Sequence, residues 1–325
     1  MIHRPWLGRL VAIMLGAALP LAFAPFDLWW IAPISLAGLF WLWRSATPRI
    51  AGWLGYAFGL GMFGVGVSWI FVSMHHFGEA IVPIAGLITL VFAAIMAVFP
   101  ALAGYLGARL CAEHGATRIL LAMPLSWMLL ELVRGEFLGG FPWLNLGASQ
   151  INSVLAGFGP VFGEYGMSLA VVMTASLLML FVTRHSKAVY TLALFALLSI
   201  WAGGAALRNI DWVEPAGAPI SVAIVQGNVE QSRKFDPNVF QATLDLYRHL
   251  TETQAANARL VMWPETAVPD TVAQAAPFLI DMQDAARVRN QQLVVGVFDQ
   301  DQAGNYYNAL LTLPIEGGHY YKRHL

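Results

Sequence analysis

The sequence is poor in charge and nearly devoid of cysteine, and both shortages exclude classes of function. Only 11% of its 325 residues are charged, whereas soluble domains carry roughly 25%. The single cysteine, Cys111, cannot form an internal disulfide, and no Cys/His spacing resembles a zinc site. A formal net charge of −1 without any basic stripe argues against nucleic acid as a partner. We therefore expect no metal, no cofactor and no polyanion.

The shortage of charge is confined to the first two thirds of the chain. Up to Leu207 the sequence consists of long apolar runs, and from Arg208 onward it is typical of a soluble α/β protein. Two regions placed in two solvents explain this change. We predict a transmembrane helical domain over residues 1–207 and a water-facing domain over residues 208–325.

Seven apolar segments are candidates for membrane-spanning helices, each of which needs about 20 predominantly apolar residues. They are residues 8–24, 28–43, 51–74, 81–111, 118–134, 161–183 and 188–207. The second is short and the fourth is long, so both are expected to tilt or to extend beyond the lipid. The first imitates a signal peptide ending at Ala22-Phe23-Ala24, but a second apolar run follows almost at once, which favours a membrane helix.

Positive charge predicts the orientation of these segments. With the N-terminus inside, the inner segments carry eight basic residues, and the outer loops between spans carry Arg134 alone. The inner residues are Arg4, Arg9, Arg44, Arg49, Arg109, Arg118, Arg184 and Lys187. Seven spans from an inside start place everything after Leu207 outside, in the periplasm of a bacterium, whereas a miscounted span would invert it.

Polar residues are rare in the predicted membrane domain. Glu131 and Arg134 are three apart on one helix and can pair. Such charges are often functional, and a structural pair near the outer interface is an equally weighted alternative. The outer loop Gly139–Trp143 either lines a lipid entry site or anchors the fold. His75 and His76 lack further ligands at metal-site spacing and indicate an interfacial turn.

The region after Leu207 alternates between predicted strands and helices, which indicates an α/β layered fold. Strands are predicted at Ile220–Gln226, Leu260–Trp263, Leu293–Phe298 and Asn308–Leu313, and in a last segment that holds Lys322 after a turn at Pro314 and Glu316-Gly317-Gly318. Helices are predicted from Pro237 to near Ala258 and over Pro277–Arg289.

The most informative motif of this region is Trp263-Pro264-Glu265, in which an acidic residue follows a buried strand directly. Ligands of α/β sheets bind beyond the carboxyl ends of strands. A partly desolvated carboxylate at such a place can act as a general base, and a solvated loop glutamate is the more common alternative. Lys322, in Tyr320-Tyr321-Lys322, carries an ammonium group that can stabilise an oxyanion, although a lysine near a chain end needs no function.

Together these features resemble the apolipoprotein N-acyltransferase family, the membrane-embedded branch of the nitrilase (carbon–nitrogen hydrolase) superfamily. The matching segments run along essentially the whole chain: Ala22–Asp27, Ser68-Trp69, Glu131 with Arg134-Gly135, Gly140–Leu144, Val225–Asn228, Trp263–Glu265, Tyr307-Asn308 and Lys322–Leu325. The resemblance implies a multi-span α-helical membrane domain, followed by the N-terminal part of a periplasmic nitrilase-like αββα sandwich, here incomplete.

The resemblance also implies a chemistry. The family uses a Glu–Lys–Cys triad to move a fatty acyl chain from a phospholipid to the N-terminal amine of a diacylglyceryl-cysteine apolipoprotein, through a covalent thioester. Glu265 matches the family's general base, Lys322 its oxyanion-stabilising lysine and Asn308 a position near the active site. Supporting or substrate-binding positions by the same resemblance are Phe235, Trp69, Trp143, Glu131 and Arg134. The expected location is the bacterial inner membrane.

Two departures from the family pattern bear on activity. The family has an essential tryptophan where this sequence has Phe235, so the aromatic ring is kept and the indole N–H donor is lost. The family nucleophile lies downstream of the lysine, beyond Leu325, and Cys111 falls at the inner end of the fourth predicted span. We therefore expect residues 1–325 alone to be an inactive amino-terminal fragment.

Two further functions stay open. A nitrilase-like membrane amidase, or a degenerate homologue that binds lipid without chemistry, agrees with Phe235 and with the missing nucleophile. A transporter with an outer domain is the weaker alternative, because the sequence has no internal repeat and few candidate intramembrane charges beyond Glu131, Arg134 and Glu164.

Overall fold

The chain consists of two compact units. A computed structural model describes residues 5–111, 115–183, 185–301, 303–314 and 318–323. Its contacts divide into Met1–Val213 and Glu214–Leu325. The predicted basic residues Arg4 and Arg184, the turn residues Glu316 and Gly317, and the last motif residues His324 and Leu325 lie outside the described residues. The assignment of residues 1–207 and 208–325 to membrane and periplasm stays a prediction.

The first unit is helical. Its helices are α1 (Pro5–Ala18), α2 (Ile31–Trp43), α3 (Pro48–Gly66), α4 (Trp69–Val72), α5 (Val82–Met96), α6 (Val98–Leu110), α7 (Met123–Glu136), α8 (Gly159–Phe181) and α9 (Lys187–Arg208). Aromatic side chains fill the centre of this unit, where Trp127 of α7 contacts Phe58 of α3 edge to face at 6.0 Å and Trp43 of α2 at 6.5 Å.

Glycines bring α3 close to its neighbours. A Cβ atom on Gly61 would lie 2.8 Å from the backbone nitrogen of Ala17 in α1, and one on Gly59 would lie 2.6 Å from the Cα of Ala97, between α5 and α6. Side chains at these positions would push the helices apart, so α3 packs backbone to backbone against both sides.

The apolar segments predicted as membrane spans are largely helical, with shifted boundaries. By length and composition, three helices within the described ranges can cross a membrane: Val82–Leu110, Val154–Phe181 and Lys187–Arg208. A fourth results if Pro48–Gly66 and Trp69–Phe77, bent by 48°, form one span, and Trp6–Ala22 and Ile31–Trp43 are shorter apolar helices. Segment 118–134 forms a π-helical turn, Arg118–Ala122, that continues into α7. The count of seven spans therefore stays a prediction.

The helices α5 and α9 carry large apolar side chains on the surface of the unit. Leu90 of α5 is 64% exposed and Phe195 of α9 is 69% exposed. In water such a surface would be unfavourable, whereas helices that face lipid are apolar on the outside. The outside of this unit is therefore suited to an apolar solvent.

The second unit is built on a mixed six-stranded sheet. Its elements are β1 (Val222–Ile224), α10 (Pro237–Thr253), β2 (Leu260–Met262), β3 (Val268–Thr271), α11 (Ala276–Val288), β4 (Gln292–Gln300), β5 (Tyr306–Leu313) and β6 (His319–Tyr321). The order is β1-β2-β4-β5-β6, with β3 paired to β4 beside this path. Strands β1, β2 and β3 run parallel to their partners, and β4–β5 and β5–β6 are antiparallel.

The predicted alternation of strands and helices agrees with this sheet, and the nitrilase-like αββα sandwich stays a prediction. Asp236 caps α10, as its position before Pro237 indicates, since its Oδ1 accepts from the backbone N–H of Asn238 at 2.9 Å. The helix ends at Thr253, short of the predicted Ala258, and β1 is shorter than the predicted Ile220–Gln226. The strand β3 was not expected, because its sequence Val-Pro-Asp-Thr lacks the alternation of a strand and contains proline.

Candidate active site

Glu265 lies in a tight connection between β2 and β3. The strand β2 ends at Met262. The next residue, the buried Trp263, adds one more hydrogen bond to β4, because its backbone N–H donates to the carbonyl of Val294 at 2.8 Å. Thr266, the residue after Glu265, has a left-handed φ of 54°. The chain therefore turns sharply at the carboxyl end of β2 and presents the Glu265 side chain to solvent.

Gly296 of β4 forms the floor under this turn. A Cβ atom at Gly296 would lie 2.8 Å from the Cα of Glu265 and 2.7 Å from the backbone nitrogen of Thr266, and it would also collide with the carbonyl oxygen of Pro264. These are backbone atoms, which cannot rotate away. Glycine at this position is what allows the Glu265 turn to rest directly on the sheet.

The structure brings Lys322 to Glu265, although 57 residues separate them. Lys322 follows the last residue of β6, and its backbone N–H donates to the carbonyl of Asn308 on β5 at 2.9 Å. Its Nζ lies 3.2 Å from Oε1 of Glu265, and the two side chains are 42% and 60% exposed. Ion pairs this exposed contribute about 0–1 kcal/mol, so the contact is informative about arrangement rather than about stability.

Asn308 and Phe235 are joined through a third residue, Phe298 of β4. Asn308 is paired with Phe298 across β4 and β5, and Phe235 stacks on the Phe298 ring with centroids 6.2 Å apart. The Oδ1 atom of Asn308 is buried and finds no hydrogen-bond donor among the residues that the structure describes. Phe235 itself is 58% exposed, so its ring offers an open apolar surface.

Lys234 is a residue of this site that the sequence did not single out. Its Nζ donates to the backbone carbonyl of Glu265 at 3.0 Å. Two lysines therefore contact one glutamate, Lys322 at the carboxylate and Lys234 at the main chain. The signal in the sequence is its position directly before Phe235, in the segment that the resemblance marks only for the aromatic residue.

In the first unit, Arg134 binds the loop that follows its own helix. The buried guanidinium donates to the carbonyls of Phe141 at 2.7 Å and Trp143 at 2.5 Å, and to Oδ1 of Asn145 at 2.6 Å. Glu131, also buried, accepts from Nε1 of Trp127 at 3.1 Å. Glu131 and Arg134 thus each have hydrogen-bond partners besides one another, and Arg134 fixes the shape of the loop that follows α7.

The same loop brings Trp143 to Trp69. Their ring centroids are 5.3 Å apart, and Nε1 of Trp143 donates to the carbonyl of Gly66 at 3.1 Å. Gly66 is the last residue of α3, where the chain bends toward α4. Arg134 therefore binds Trp143, and Trp143 contacts both Gly66 before the bend and Trp69 after it.

Metal-binding groups are dispersed in the part of the chain that the structure describes, where no three His, Cys, Asp or Glu side chains come together to hold an ion. His75 uses Nδ1 to contact the carbonyl of Ala80 at 2.8 Å, which closes a turn. Cys111 lies at the end of α6 in the first unit.

Comparison with known families identifies relatives of the chain. The sequence profile of the apolipoprotein N-acyltransferase N-terminal domain matches residues 15–177. An apolipoprotein N-acyltransferase of Azotobacter vinelandii is 43% identical over 332 aligned residues, covering 100% of this chain and 64% of the relative. One of Methylococcus capsulatus is 41% identical over 322, covering 98% and 63%. One of Coxiella burnetii is 38% identical over 321, covering 98% and 66%. The chain thus spans slightly less than two thirds of the length of these relatives.

Proposed function

This chain belongs to the apolipoprotein N-acyltransferase family, and on that premise we propose that it carries the membrane domain and two catalytic residues of an acyltransferase. The reaction is transfer of a fatty acyl chain from a phospholipid to the N-terminal amine of a diacylglyceryl-cysteine apolipoprotein. The single observation that carries the proposal is the 3.2 Å contact between Lys322 Nζ and Glu265 Oε1. The activity belongs to the whole protein, of whose relatives the chain spans about 64%.

Glu265 is the proposed general base. In the first half-reaction it takes the proton of a cysteine thiol, which the family pattern places downstream of Lys322. The thiolate attacks the ester carbonyl of the phospholipid, and the C–O bond breaks. The proton returns from Glu265 to the leaving alkoxide of the lysophospholipid. In the second half-reaction Glu265 takes a proton from the attacking amine, the C–S bond breaks, and the proton passes to the departing thiolate.

Lys322 is the proposed stabiliser of the tetrahedral oxyanion in both halves. An ammonium group has three N–H donors, and contact with Glu265 occupies one of them. The others are available to an oxyanion that forms beside the carboxylate. Removing one such donor typically costs about 10²–10³ in rate.

Phe235 and Asn308 are proposed to support the substrate. Phe235 presents an exposed ring that stacks on Phe298, which suits contact with an acyl chain. The Oδ1 of Asn308, which has no donor within the described ranges, suits the amine of the acceptor. These assignments follow the chemistry of each group: an apolar surface takes a lipid tail, and a buried acceptor takes an N–H donor.

The first unit is proposed to span the bacterial inner membrane seven times, with its N-terminus in the cytoplasm and the second unit in the periplasm. The exposed apolar side chains of α5 and α9 support a lipid-facing surface, and the distribution of basic residues supports the orientation. Glu131 and Arg134 are proposed to hold the loop that carries Trp143, next to Trp69, on the outer side.

The test uses the full-length protein from the complete gene, purified in detergent. A phosphatidylethanolamine with a labelled acyl chain and a diacylglyceryl-cysteine peptide are supplied, and mass spectrometry follows the acyl gain of the peptide. Glu265→Gln and Lys322→Met are expected to lower transfer by on the order of 10³-fold and 10²-fold. Glu230→Gln, an exposed carboxylate in the same unit, is the matched control. A Glu265→Gln variant that transfers the acyl chain as fast as the wild type would contradict the assigned base. Amide hydrolysis without acyl transfer would support an amidase instead.

A further inference from the structure

The strand that precedes Lys322 is short. Among the residues that the structure describes, β6 has three residues and pairs with β5, through Ala309 with Tyr321, Leu310 with Tyr320 and Leu311 with His319. Short elements open locally at little free-energy cost, because few contacts hold them. Strand pairing alone is therefore a weak way to fix the residue that follows Tyr321.

A side-chain hydrogen bond holds the end of this strand to the middle of the sheet. The hydroxyl of Tyr321 donates to Oδ2 of Asp299 at 2.7 Å. Asp299 lies on β4, so the phenol reaches past β5 to the strand beyond it. The second carboxylate oxygen, Oδ1, accepts from the backbone N–H of Gln300 at 2.9 Å. A hydroxyl that donates to a carboxylate at this distance forms a strong, charge-assisted bond.

A second tyrosine supports the first. Tyr307 of β5 stacks on Tyr321 with ring centroids 4.9 Å apart and planes at 28°. Its hydroxyl donates to Oδ2 of Asp301 at 3.1 Å, and the backbone and side chain of Asn305 both donate to Asp301 at 2.9 Å. The two tyrosines are therefore tied to the β4–β5 hairpin, which is itself closed by hydrogen bonds.

The end of β6 leads directly to the candidate catalytic contact. Lys322 follows Tyr321, its backbone N–H is bonded to Asn308, and its Nζ reaches Glu265. A shift at Tyr321 is passed on to Lys322 through one peptide unit. Because the Lys322–Glu265 contact is exposed, it is too weak to hold the strand in place by itself.

We propose that the hydrogen bond from Tyr321 to Asp299 positions Lys322, by fixing the end of β6 so that the ammonium group stays at Glu265. The inference rests on the proposed function, which gives Lys322 its role. Neither Tyr321 nor Asp299 touches the reacting atoms, so both are positioning residues. Tyr321→Phe removes the hydroxyl and keeps the ring that stacks on Tyr307.

The first experiment measures hydrogen–deuterium exchange in the full-length protein and does not require activity. Tyr321→Phe is expected to speed exchange of the Lys322 amide by on the order of 10-fold, because a bond to a charged group no longer closes the strand end. Tyr320→Phe is the matched control, since its side chain points to the opposite face and is 53% exposed. Unchanged exchange in Tyr321→Phe, or an equal increase in Tyr320→Phe, overturns the proposal.

The second experiment measures steady-state acyl transfer. Tyr321→Phe and Asp299→Ala are each expected to lower kcat about 10-fold with KM within twofold, because Lys322 is misplaced and substrate contacts are kept. The double variant is expected to lose about 10-fold rather than 100-fold, because both changes break the same bond. Multiplicative losses, or a change confined to KM, overturn the proposal. A wild-type protein without transfer refutes the proposed function instead, and the exchange data then decide whether Tyr321 fixes the strand.

Discussion

Replacing Gly296 with alanine is expected to lower catalysis by more than its loss of stability alone would explain. The new Cβ atom would lie 2.8 Å from the Cα of Glu265, whereas non-bonded carbon atoms sit about 3.5 Å apart at their closest favourable distance. The turn that carries Glu265 must therefore rise from the sheet by roughly 0.7 Å, and the clash with the Pro264 carbonyl pushes in addition.

The size of the effect on catalysis follows from the distance that Glu265 moves. A displacement on the order of 1 Å at a catalytic group costs about 10²-fold in rate, equivalent to about 2.7 kcal/mol. Overpacking of this kind costs about 1–3 kcal/mol of folding free energy. We expect kcat/KM of Gly296→Ala to fall between 10-fold and 100-fold.

The assay compares Gly296→Ala with Val295→Ala in the full-length enzyme, using acyl transfer for activity and thermal unfolding for stability. Val295 precedes Gly296 on the same strand and is fully buried, so its truncation costs about 2 kcal/mol and leaves the floor under Glu265 intact. Two variants of similar stability should then differ widely in activity. Wild-type kcat/KM in Gly296→Ala, or equal losses in both variants, would refute the reasoning.

Three further results are expected. Hydrogen bonding to Asp299 raises the pKa of Tyr321 above its usual range. The contribution of this hydrogen bond to stability is therefore complete below about pH 10 and is lost as the pH rises through the pKa of Tyr321 in the folded protein. An absorbance titration at 295 nm, with the curve of Tyr321→Phe subtracted from that of the wild type, should reveal one phenol that ionises late. Gly61→Ala should lower the free energy of unfolding by about 1–3 kcal/mol, because a Cβ there meets α1, and this should appear as a lower melting temperature in detergent. Gly64→Ala, with open space around it, should not. Asp236→Ala should cost about 1 kcal/mol by removing the cap of α10, measured by denaturant unfolding of the full-length protein.

The elements of the second unit could be predicted because their signals are local. Asp236-Pro237 begins α10, and buried apolar runs form β2 and β4. The strand β3 could not be predicted, because it pairs through a shifted register with β4 and its own residues give no period. Such a strand forms because of its pairing with a distant strand, and the residues of the segment itself do not indicate that pairing.

The candidate site was predicted in part for the same reason. The position of Glu265 after a buried strand marks it as a candidate, and the resemblance assigns it the role of a base. The contact with Lys322 came from resemblance, since no local pattern joins residues 57 apart. Lys234 and Asp299 act through long-range contacts with Glu265 and Tyr321, and each reads in sequence as an ordinary surface charge. In the first unit, hydropathy is continuous through Gly66, so it gave no sign of the 48° bend there.

The exposure of the Glu265–Lys322 pair determines where its geometry must come from. With side chains 60% and 42% exposed, mutual attraction of the charges is worth about 1 kcal/mol at most, and water competes for both groups. The contact of Gly296 with the Glu265 turn is a stronger constraint, because it is a steric contact between backbone atoms; Lys234 adds a hydrogen bond to the Glu265 carbonyl. Tyr321 holds the other partner from the far side of β5. The two charged groups therefore meet because their backbones are fixed separately, which leaves the side chains free to exchange their mutual contact for contacts with a substrate.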